Sequence, residues 1–198
     1  MRTFLLGCAA LLTAATPALA DDSSDWQTVT LPRGVTMDVP AGIGPHYRPS
    51  AENAQKGDLM YFYAQTDDFG SMSCLLSYGA YTKTFTRAKA VERLADRDRN
   101  IMCDPGEGTT GADTGESESL SISGYPAGRC ATAYTDPTDK GPGQVTATMT
   151  VAAPDGFYML SCTVHAETQS HATSLWMSQW SKIVHHIQES EKFTGRNK

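Results

Sequence analysis

The chain has 198 residues, with 16 lysines and arginines against 22 aspartates and glutamates, which gives a formal net charge of −6. This acidic balance, with basic residues that are scattered rather than clustered, argues against nucleic acid or an anionic membrane as a partner. The length is sufficient for one domain with a substantial hydrophobic core.

The N-terminal segment, residues 1–20, has the composition of a Sec-type signal peptide. Arg2 precedes an apolar run from residue 4 to residue 12, and the segment ends in the small-residue sequence Ala18-Leu19-Ala20. We therefore expect cleavage after Ala20 and a periplasmic or secreted protein. Residues 21–198 would then form a single α+β domain, with an ordered core at about residues 26–190.

Two other membrane-related interpretations have less support. The sequence "LLGC" at residues 5–8 resembles the lipid-attachment box of bacterial lipoproteins, but attachment at Cys8 would leave almost no hydrophobic region before it. The apolar run is too short to span a bilayer, and no later stretch is apolar for long enough. The sequence thus predicts no transmembrane segment.

Strand-like patterns come next along the chain. Residues 26–40 read as two short strands around the turn Pro32-Arg33-Gly34. The sequences "LMYFYAQ" (59–65) and "SMSCLLSYG" (71–79) also have strand composition, and the second alternates at period two. The side chains that this alternation places on one face are Met72, Cys74, Leu76 and Tyr78.

A helix is predicted over residues 86–102. Thr86 is a suitable N-cap, and an apolar stripe runs along one side of an otherwise charged segment. Only that side can be buried. The stripe consists of Ala88, Val91, Ala95 and Met102.

A segment rich in Gly, Thr and acidic residues, 104–118, is predicted to be a surface loop. Carboxylate oxygens are the ligands that calcium prefers, but the residue spacing of an EF-hand loop is missing. We interpret the segment as a solvated acidic loop, with divalent-metal binding as the alternative. Its acidic residues are Asp104, Glu107, Asp113, Glu116 and Glu118.

Four strands in quick succession are predicted between residues 119 and 167. They are "SLSIS", "GRCATAYT", "GQVTATMTVAA" and "FYMLSCTVHAE", and turn sequences separate them. In the third, Val145, Ala147, Met149 and Val151 alternate with Gln and Thr, which is typical of an antiparallel strand with one buried and one solvated face. The predicted fold class is α+β, an antiparallel sheet flanked by two or more helices.

The cysteine pattern predicts two disulfides. An even number of cysteines in an exported chain favours cross-links, and the lack of a C-x-x-C sequence disfavours zinc or redox sites. In a regular meander the strands of Cys130 and Cys162 flank a common neighbour, about 10 Å apart, which is too far for a bridge. Cys103 or Cys74 is therefore the expected partner of each. The four residues are Cys74, Cys103, Cys130 and Cys162.

Residues 175–188, "LWMSQWSKIVHHIQ", predict an amphipathic helix that packs on the sheet. His185 and His186 fall off its apolar stripe on different sides, and adjacent helical residues do not face each other. We interpret the two histidines as surface residues rather than as a shared metal site. The stripe contains Trp176, Met177, Trp180, Ile183, Val184 and Ile187.

A second group of residues has the chemistry of a metal site. His165 at the end of a strand and His171 before the last helix are close in sequence to Glu167, and zinc and other transition metals bind this combination of side chains. No motif of nucleophilic catalysis accompanies them. A divalent metal is thus the only cofactor considered, and none other is expected.

The order of elements resembles the PsbP-like fold of the extrinsic photosystem II subunit, which a Ran-binding relative and bacterial DcrB-like proteins share. The resemblance covers most of residues 26–190. It rests on the strand pair at 26–42, the hairpin at 124–135, the strand pair at 143–164, and the closing helix with Trp176 and Trp180. The resemblance implies an antiparallel sheet between helices, and partner binding or assembly support rather than catalysis. It carries over no binding residue.

Two function hypotheses follow. The first is an exported, non-enzymatic binding or accessory protein with a protein or small-molecule partner. Its contact surface would include Tyr61, Tyr63, Tyr78 and Tyr81, since tyrosine-rich sheet faces suit recognition. The second is a metal-binding protein or small metal-dependent hydrolase that uses the His165 and His171 site or the acidic loop 104–118.

Overall fold

The computed structural model describes residues 26–41, 58–65, 70–95, 111–134 and 141–193. For residues 58–65 and 111–117 we describe the backbone alone. The predicted signal peptide 1–20, Cys8, Met102, Cys103, Asp104 and Glu107 lie outside the described residues.

The described part of the chain contains nine strands and two helical regions. The helical segments are α1 (Arg87–Ala95), α2 (Gln169–Leu175) and α3 (Ser181–Glu189), and a π-helical turn, Trp176–Trp180, joins the last two. The strands are β1 (Trp26–Leu31), β2 (Val35–Pro40), β3 (Asp58–Gln65), β4 (Ser71–Gly79), β5 (Gly111–Ile122), β6 (Tyr125–Tyr134), β7 (Gly143–Ala152), β8 (Phe157–Ala166) and β9 (Lys192–Phe193).

The strands form two antiparallel sheets, so the α+β class is confirmed but the single sheet is wrong. The large sheet has the order β3-β4-β8-β7-β6-β5, and the small sheet has the order β1-β2-β9. The predicted hairpin around Pro32-Arg33-Gly34 is present, but its free edge pairs with β9 instead of the main sheet. At two residues, β9 is too short to produce a periodic sequence signal.

Helices cover both faces of the large sheet. The long helical region α2–α3 packs on the face that carries Met72, Cys74 and Leu76, and all three side chains are buried. On the opposite face, α1 packs against β6 and β7. The prediction that one face of β7 is solvated is therefore wrong near α1, where Thr148 and Thr150 are 7% and 3% exposed.

The first helix is shorter than predicted among the described residues and turns a different side to the sheet. Its buried residues are Ala90 and Leu94, which pack with Ala152, whereas Ala88 and Ala95 are exposed. The predicted stripe was wrong because small alanines on several sides of the helix give no strong amphipathic signal. Thr86 does cap the helix: its Oγ1 accepts a hydrogen bond from the backbone N–H of Lys89 at 3.4 Å.

The acidic segment 104–118 was predicted to be a loop, but its residues from 111 onwards belong to β5. This strand lies at the edge of the sheet and pairs with β6, with a register shift between Asp113 and Ser117. An edge strand needs only backbone pairing on one side, so a polar sequence can form it. Its turn into β6 is Ser123-Gly124, with φ of 51° and 80°, rather than the predicted "GYPA".

One disulfide lies wholly within the described residues, between Cys74 and Cys162. It links adjacent strands β4 and β8 at directly opposed positions. Cys130 lies on β6, and β7 separates it from β8, so the exclusion of a Cys130–Cys162 bridge is confirmed. Cys130 is disulfide-bonded as well.

The C-terminal helical region buries its tryptophans as predicted. Trp176 and Trp180 are fully or nearly fully buried, but Met177 is 65% exposed, so its place in the predicted stripe was wrong. The reason is the π turn: the N–H of Ser181 donates to the carbonyl of Trp176, one residue farther back than in an α-helix. The extra residue rotates Met177 away from the core. No helix in the described ranges is long and apolar enough to cross a bilayer.

Candidate functional site

The candidate site lies at one end of the large sheet, where the β7–β8 turn is fixed by three tyrosines. The hydroxyl of Tyr78 donates to the carbonyl oxygen of Asp155, and that of Tyr81 donates to the carbonyl oxygen of Ala153, both at 2.8 Å. The hydroxyl of Tyr158 donates to Oδ2 of Asp155 at 3.1 Å. The turn is therefore a rigid platform rather than a loose connection.

A glycine allows the close approach at this turn. A Cβ atom on Gly156 would lie 2.4 Å from Cε2 of Tyr78 and 2.6 Å from the carbonyl oxygen of Gly79. The tyrosine ring therefore packs on the backbone of the turn because residue 156 has no side chain.

An aromatic surface depression adjoins the turn. Elements that are distant in sequence meet there: the β1–β2 turn, the start of β6, the β7–β8 turn and β9. We call this site the aromatic depression. It is lined by Arg33, Tyr125, Ala153, Pro154, Asp155, Tyr158 and Phe193.

Phe193 forms one wall of the aromatic depression. Its ring centroid lies 4.8 Å from that of Tyr158 and 5.9 Å from that of Tyr125, the second contact being edge-to-face. Such ring pairs contribute about 0.5–1.5 kcal/mol beyond their burial. Phe193 remains half-buried, and Tyr158 is buried.

Arg33 supplies a positive charge at the rim. It adopts a left-handed backbone conformation, φ 65°, at the apex of the β1–β2 turn. Its guanidinium carbon lies 3.6 Å from the centroid of the Tyr78 ring, a cation–π contact that orients an otherwise exposed side chain. The half-buried carboxylate of Asp155, which accepts the hydrogen bond from the Tyr158 hydroxyl, also lines the depression. Rings, a fixed cation and a carboxylate are suited to non-covalent recognition.

Of the predicted tyrosines, Tyr78 and Tyr81 contact different neighbours. Tyr78 contacts Arg33 beside the depression, whereas Tyr81 packs near Phe157 on the far side of the turn. Burial raises the pKa of the Tyr81 phenol, and the Asp155 charge adds to this, against an opposing effect of Arg87. Tyr81 therefore remains a protonated hydrogen-bond donor.

Tyr61 and Tyr63 occur on β3 at the edge of the large sheet. They pair with Leu75 and Ser73, which are odd-numbered positions of β4, whereas Tyr78 occupies an even-numbered one.

The sequence analysis missed Arg33, Tyr125 and Phe193 as site residues. The signal for Arg33 was available, since an arginine before a glycine at a hairpin apex is exposed and held by the turn.

The predicted metal ligands are not brought together. His165 and Glu167 are exposed around the end of β8, and His171 lies in the first turn of α2, where its backbone N–H donates to Thr168 Oγ1. Within the described ranges, no three or more His, Cys, Asp and Glu side chains are grouped to hold a metal. In the acidic segment, Glu118 instead pairs with Arg129 at 2.8 Å.

The adjacent histidines of α3 contact different neighbours. The His186 ring stacks on Trp26 of β1, with centroids 3.9 Å apart, and its Nε2 lies 3.8 Å from Oδ2 of Asp38. The half-buried His185 contacts the edge of the Trp176 ring, with centroids 6.0 Å apart. They do not share a site, but His186 links α3 to the small sheet, a role that the helical wheel did not show.

A buried acidic side chain lies directly before β9. Glu191 is 1% exposed, and neither oxygen of its carboxyl group has a hydrogen-bond partner. Burial raises its pKa to about 8. Gln188, one helical turn earlier, is also 1% exposed with both polar side-chain atoms unpartnered. Buried polar groups of this kind disfavour the folded state by about 1–3 kcal/mol each.

Comparison with solved structures identifies the fold. The Ran-binding protein Mog1p of Saccharomyces cerevisiae is similar over 85% of this chain and 95% of its own, with 11% identity and a TM-score of 0.50. The chain has a PsbP/Mog1-like fold. No protein-family model and no curated protein sequence matches it.

Two further solved structures are similar at lower TM-scores. Cyanobacterial PsbP (CyanoP) from Synechocystis has 12% identity over 95% of this chain and 98% of its own, with a TM-score of 0.47. LpqN, a Mycobacterium tuberculosis protein involved in cell envelope biogenesis, has 14% identity over 86% of this chain and 91% of its own, with a TM-score of 0.46. The predicted resemblance is confirmed for the fold by the similarity to Mog1p.

Proposed function

We propose that this protein is an exported, non-catalytic binding or accessory protein that recognises a protein partner at the aromatic depression. The observation that carries the proposal is the exposed guanidinium of Arg33, fixed on the Tyr78 ring at 3.6 Å beside the Tyr125, Tyr158 and Phe193 rings. Aromatic residues and arginine are the side chains enriched at the centres of protein interfaces.

Pre-organisation supports recognition at this place. The three tyrosine hydrogen bonds hold the β7–β8 turn before any partner arrives. A rigid surface loses less conformational entropy on binding than a flexible one, which favours affinity. The depression is small and partly open to solvent, so it fits a protein surface or an extended segment better than an enclosed small molecule.

Export is the second part of the proposal. The signal-like sequence of residues 1–20 supports it, and the Cys74–Cys162 disulfide is of the kind that persists in oxidising compartments. We propose that Cys103 is the disulfide partner of Cys130, which gives the mature protein two cross-links. The chain would then act in the periplasm or outside the cell.

Site-specific photocrosslinking in the source cells tests the binding proposal. A photoreactive phenylalanine derivative replaces the exposed Pro154 at the rim, and a matched chain carries it at the exposed Lys182 on α3. We expect a discrete adduct with a partner protein from position 154 only, and its loss when Arg33→Glu is added. No adduct from position 154, or adducts that do not depend on Arg33, would contradict the proposal.

A further inference from the structure

The C-terminal strand β9 is held in place by few interactions. It pairs with β2 through two residue pairs, Val35 with Phe193 and Thr36 with Lys192. The pairing cannot continue along β2, because the backbone N–H of Asp38 donates to Oγ of Ser190 at the end of the helix. Two-residue strands contribute little pairing energy, since sheet stability is built from successive cross-strand pairs.

Glu191, the residue before β9, disfavours the position that β9 has in this structure. Glu191 buries both carboxyl oxygens without a partner. Its backbone N–H donates to the carbonyl oxygen of Gln188 at 3.4 Å, and its backbone carbonyl accepts a hydrogen bond from Ser123 Oγ at 3.0 Å. Release of the segment 191–193 would return this carboxyl group to water. The raised pKa of Glu191 reflects the same burial.

Phe193 shows which chemistry the site accepts. An extended backbone pairs with Val35 and Thr36, and one aromatic ring lies against Tyr125 and Tyr158. A peptide that adds a strand to a sheet edge uses the same two elements, main-chain hydrogen bonds and a side-chain slot.

Charge favours an acidic partner segment over this chain's own. Arg33 lines the depression beside Phe193 and is exposed. After Phe193 the sequence continues as Thr-Gly-Arg-Asn-Lys, with two positive charges and no negative one. A partner with an acidic residue after its aromatic residue gains an attraction to Arg33 that the side chains of residues 194–198 do not provide.

We propose that an extended segment of a partner protein displaces residues 191–193, including β9. The partner segment has an aromatic residue followed by acidic residues. It pairs with Val35 and Thr36 and inserts its aromatic ring between Tyr125 and Tyr158. This inference rests on the proposed function and names the kind of partner for that site.

A synthetic peptide tests the exchange on the whole protein. The probe is fluorescein-labelled Ser-Gln-Lys-Phe-Asp-Gly-Asp amide, and its binding is followed by fluorescence anisotropy. Phe193→Ala removes the ring with which the chain's own β9 fills the site. This variant should therefore bind the probe about tenfold more tightly than the original chain. A probe with Ala in place of Phe, and the exposed-site variant Met177→Ala, are the matched controls.

A second variant tests the same displacement without removing the Phe193 ring. Glu191→Gln keeps the shape of the side chain but cannot ionise, so at about pH 9 it should bind the probe about tenfold more weakly than the original chain. Both chains share the other charged groups on the surrounding elements, so their titration cancels in the comparison. These groups are Arg33, Asp38, Glu118, Arg129, Asp155, His186, Glu189 and Lys192.

The outcomes separate this inference from the proposed function. Tighter binding to Phe193→Ala that requires the probe's Phe supports the exchange. Equal affinity of Phe193→Ala and the original chain, together with equal affinity of Glu191→Gln at high pH, would overturn it. If Arg33-dependent crosslinking at position 154 persists in that case, the binding function stands and only the exchange of β9 fails.

Discussion

Cys74 and Cys162 occupy directly opposed positions on the adjacent strands β4 and β8, with their Cα atoms 4.0 Å apart and a disulfide between them. Both residues are buried in the main core beneath the α2–α3 helical region. The bond therefore joins the second and third strands of the six-stranded sheet, and β4 ends and β8 begins beside the candidate binding site.

The first prediction concerns this cross-link. It closes a loop with a sequence separation of 88 residues, and such a bridge stabilises a protein by about 4 kcal/mol, chiefly through the unfolded chain. The double variant Cys74→Ala/Cys162→Ala should therefore unfold at a clearly lower urea concentration. An unchanged midpoint in equilibrium unfolding would show that the bond contributes nothing.

A second prediction tests the platform at the β7–β8 turn. Gly156→Ala places a methyl group 2.4 Å from the Tyr78 ring and 2.6 Å from a backbone oxygen, so overpacking should destabilise the protein by about 1–3 kcal/mol. The second variant Gly156→Ala/Tyr78→Ala removes the ring and should recover part of the loss. A double-mutant cycle measures this coupling; a value of zero would refute the contact.

The third prediction concerns the pH dependence of stability. Burial raises the pKa of Glu191 from its ordinary value of 4.5 to about 8 in the folded protein. A raised folded pKa means that the folded state holds the proton more tightly, so stability is greatest below about pH 4.5 and falls as the pH rises to about 8.

Glu191→Gln should remove this dependence. At about pH 9 the variant should be more stable than the original chain by a few kcal/mol, and the difference should shrink in acid. Urea unfolding of both chains at several pH values measures it. Parallel stability curves over the whole pH range would be inconsistent with a buried Glu191.

The fourth prediction concerns export and processing. Protein isolated from the periplasm of the source cells should have the mass of residues 21–198 less four hydrogens, as expected for cleavage after Ala20 and two disulfides. Proteolysis without reduction should yield a peptide pair that contains Cys103 and Cys130. An intact N-terminus at Met1, or a mass that shows free thiols, would contradict this part of the account.

The fold was largely accessible from sequence because its strands alternate strongly. Met72, Cys74 and Leu76 are buried at every second position of β4, as the pattern indicated. The predicted core positions of β7, from Val145 to Val151, are buried as well, although α1 also covers Thr148 and Thr150 between them. Burial of Trp176 and Trp180 followed from helical periodicity in the same way. These features depend on local periodicity, which a single sequence contains.

The candidate site was less accessible because it depends on long-range geometry. Phe193 belongs to a two-residue strand, and Glu191 has no local feature that indicates its burial. The displacement of Met177 results from a π turn, which ordinary helical periodicity does not anticipate. Tyr78 was identified as a contact residue, but its partner Arg33 comes from a turn 45 positions earlier in the sequence.

The most direct test of the binding site is the affinity of the crosslinked partner for the purified protein. Titration calorimetry should show that Arg33→Glu weakens binding by about tenfold or more, because it reverses the charge beside the aromatic rings of the proposed contact surface. Lys182→Glu makes the same charge change on an exposed part of α3 and should leave the affinity unaltered. Equal affinities of the two variants would contradict recognition at the aromatic depression.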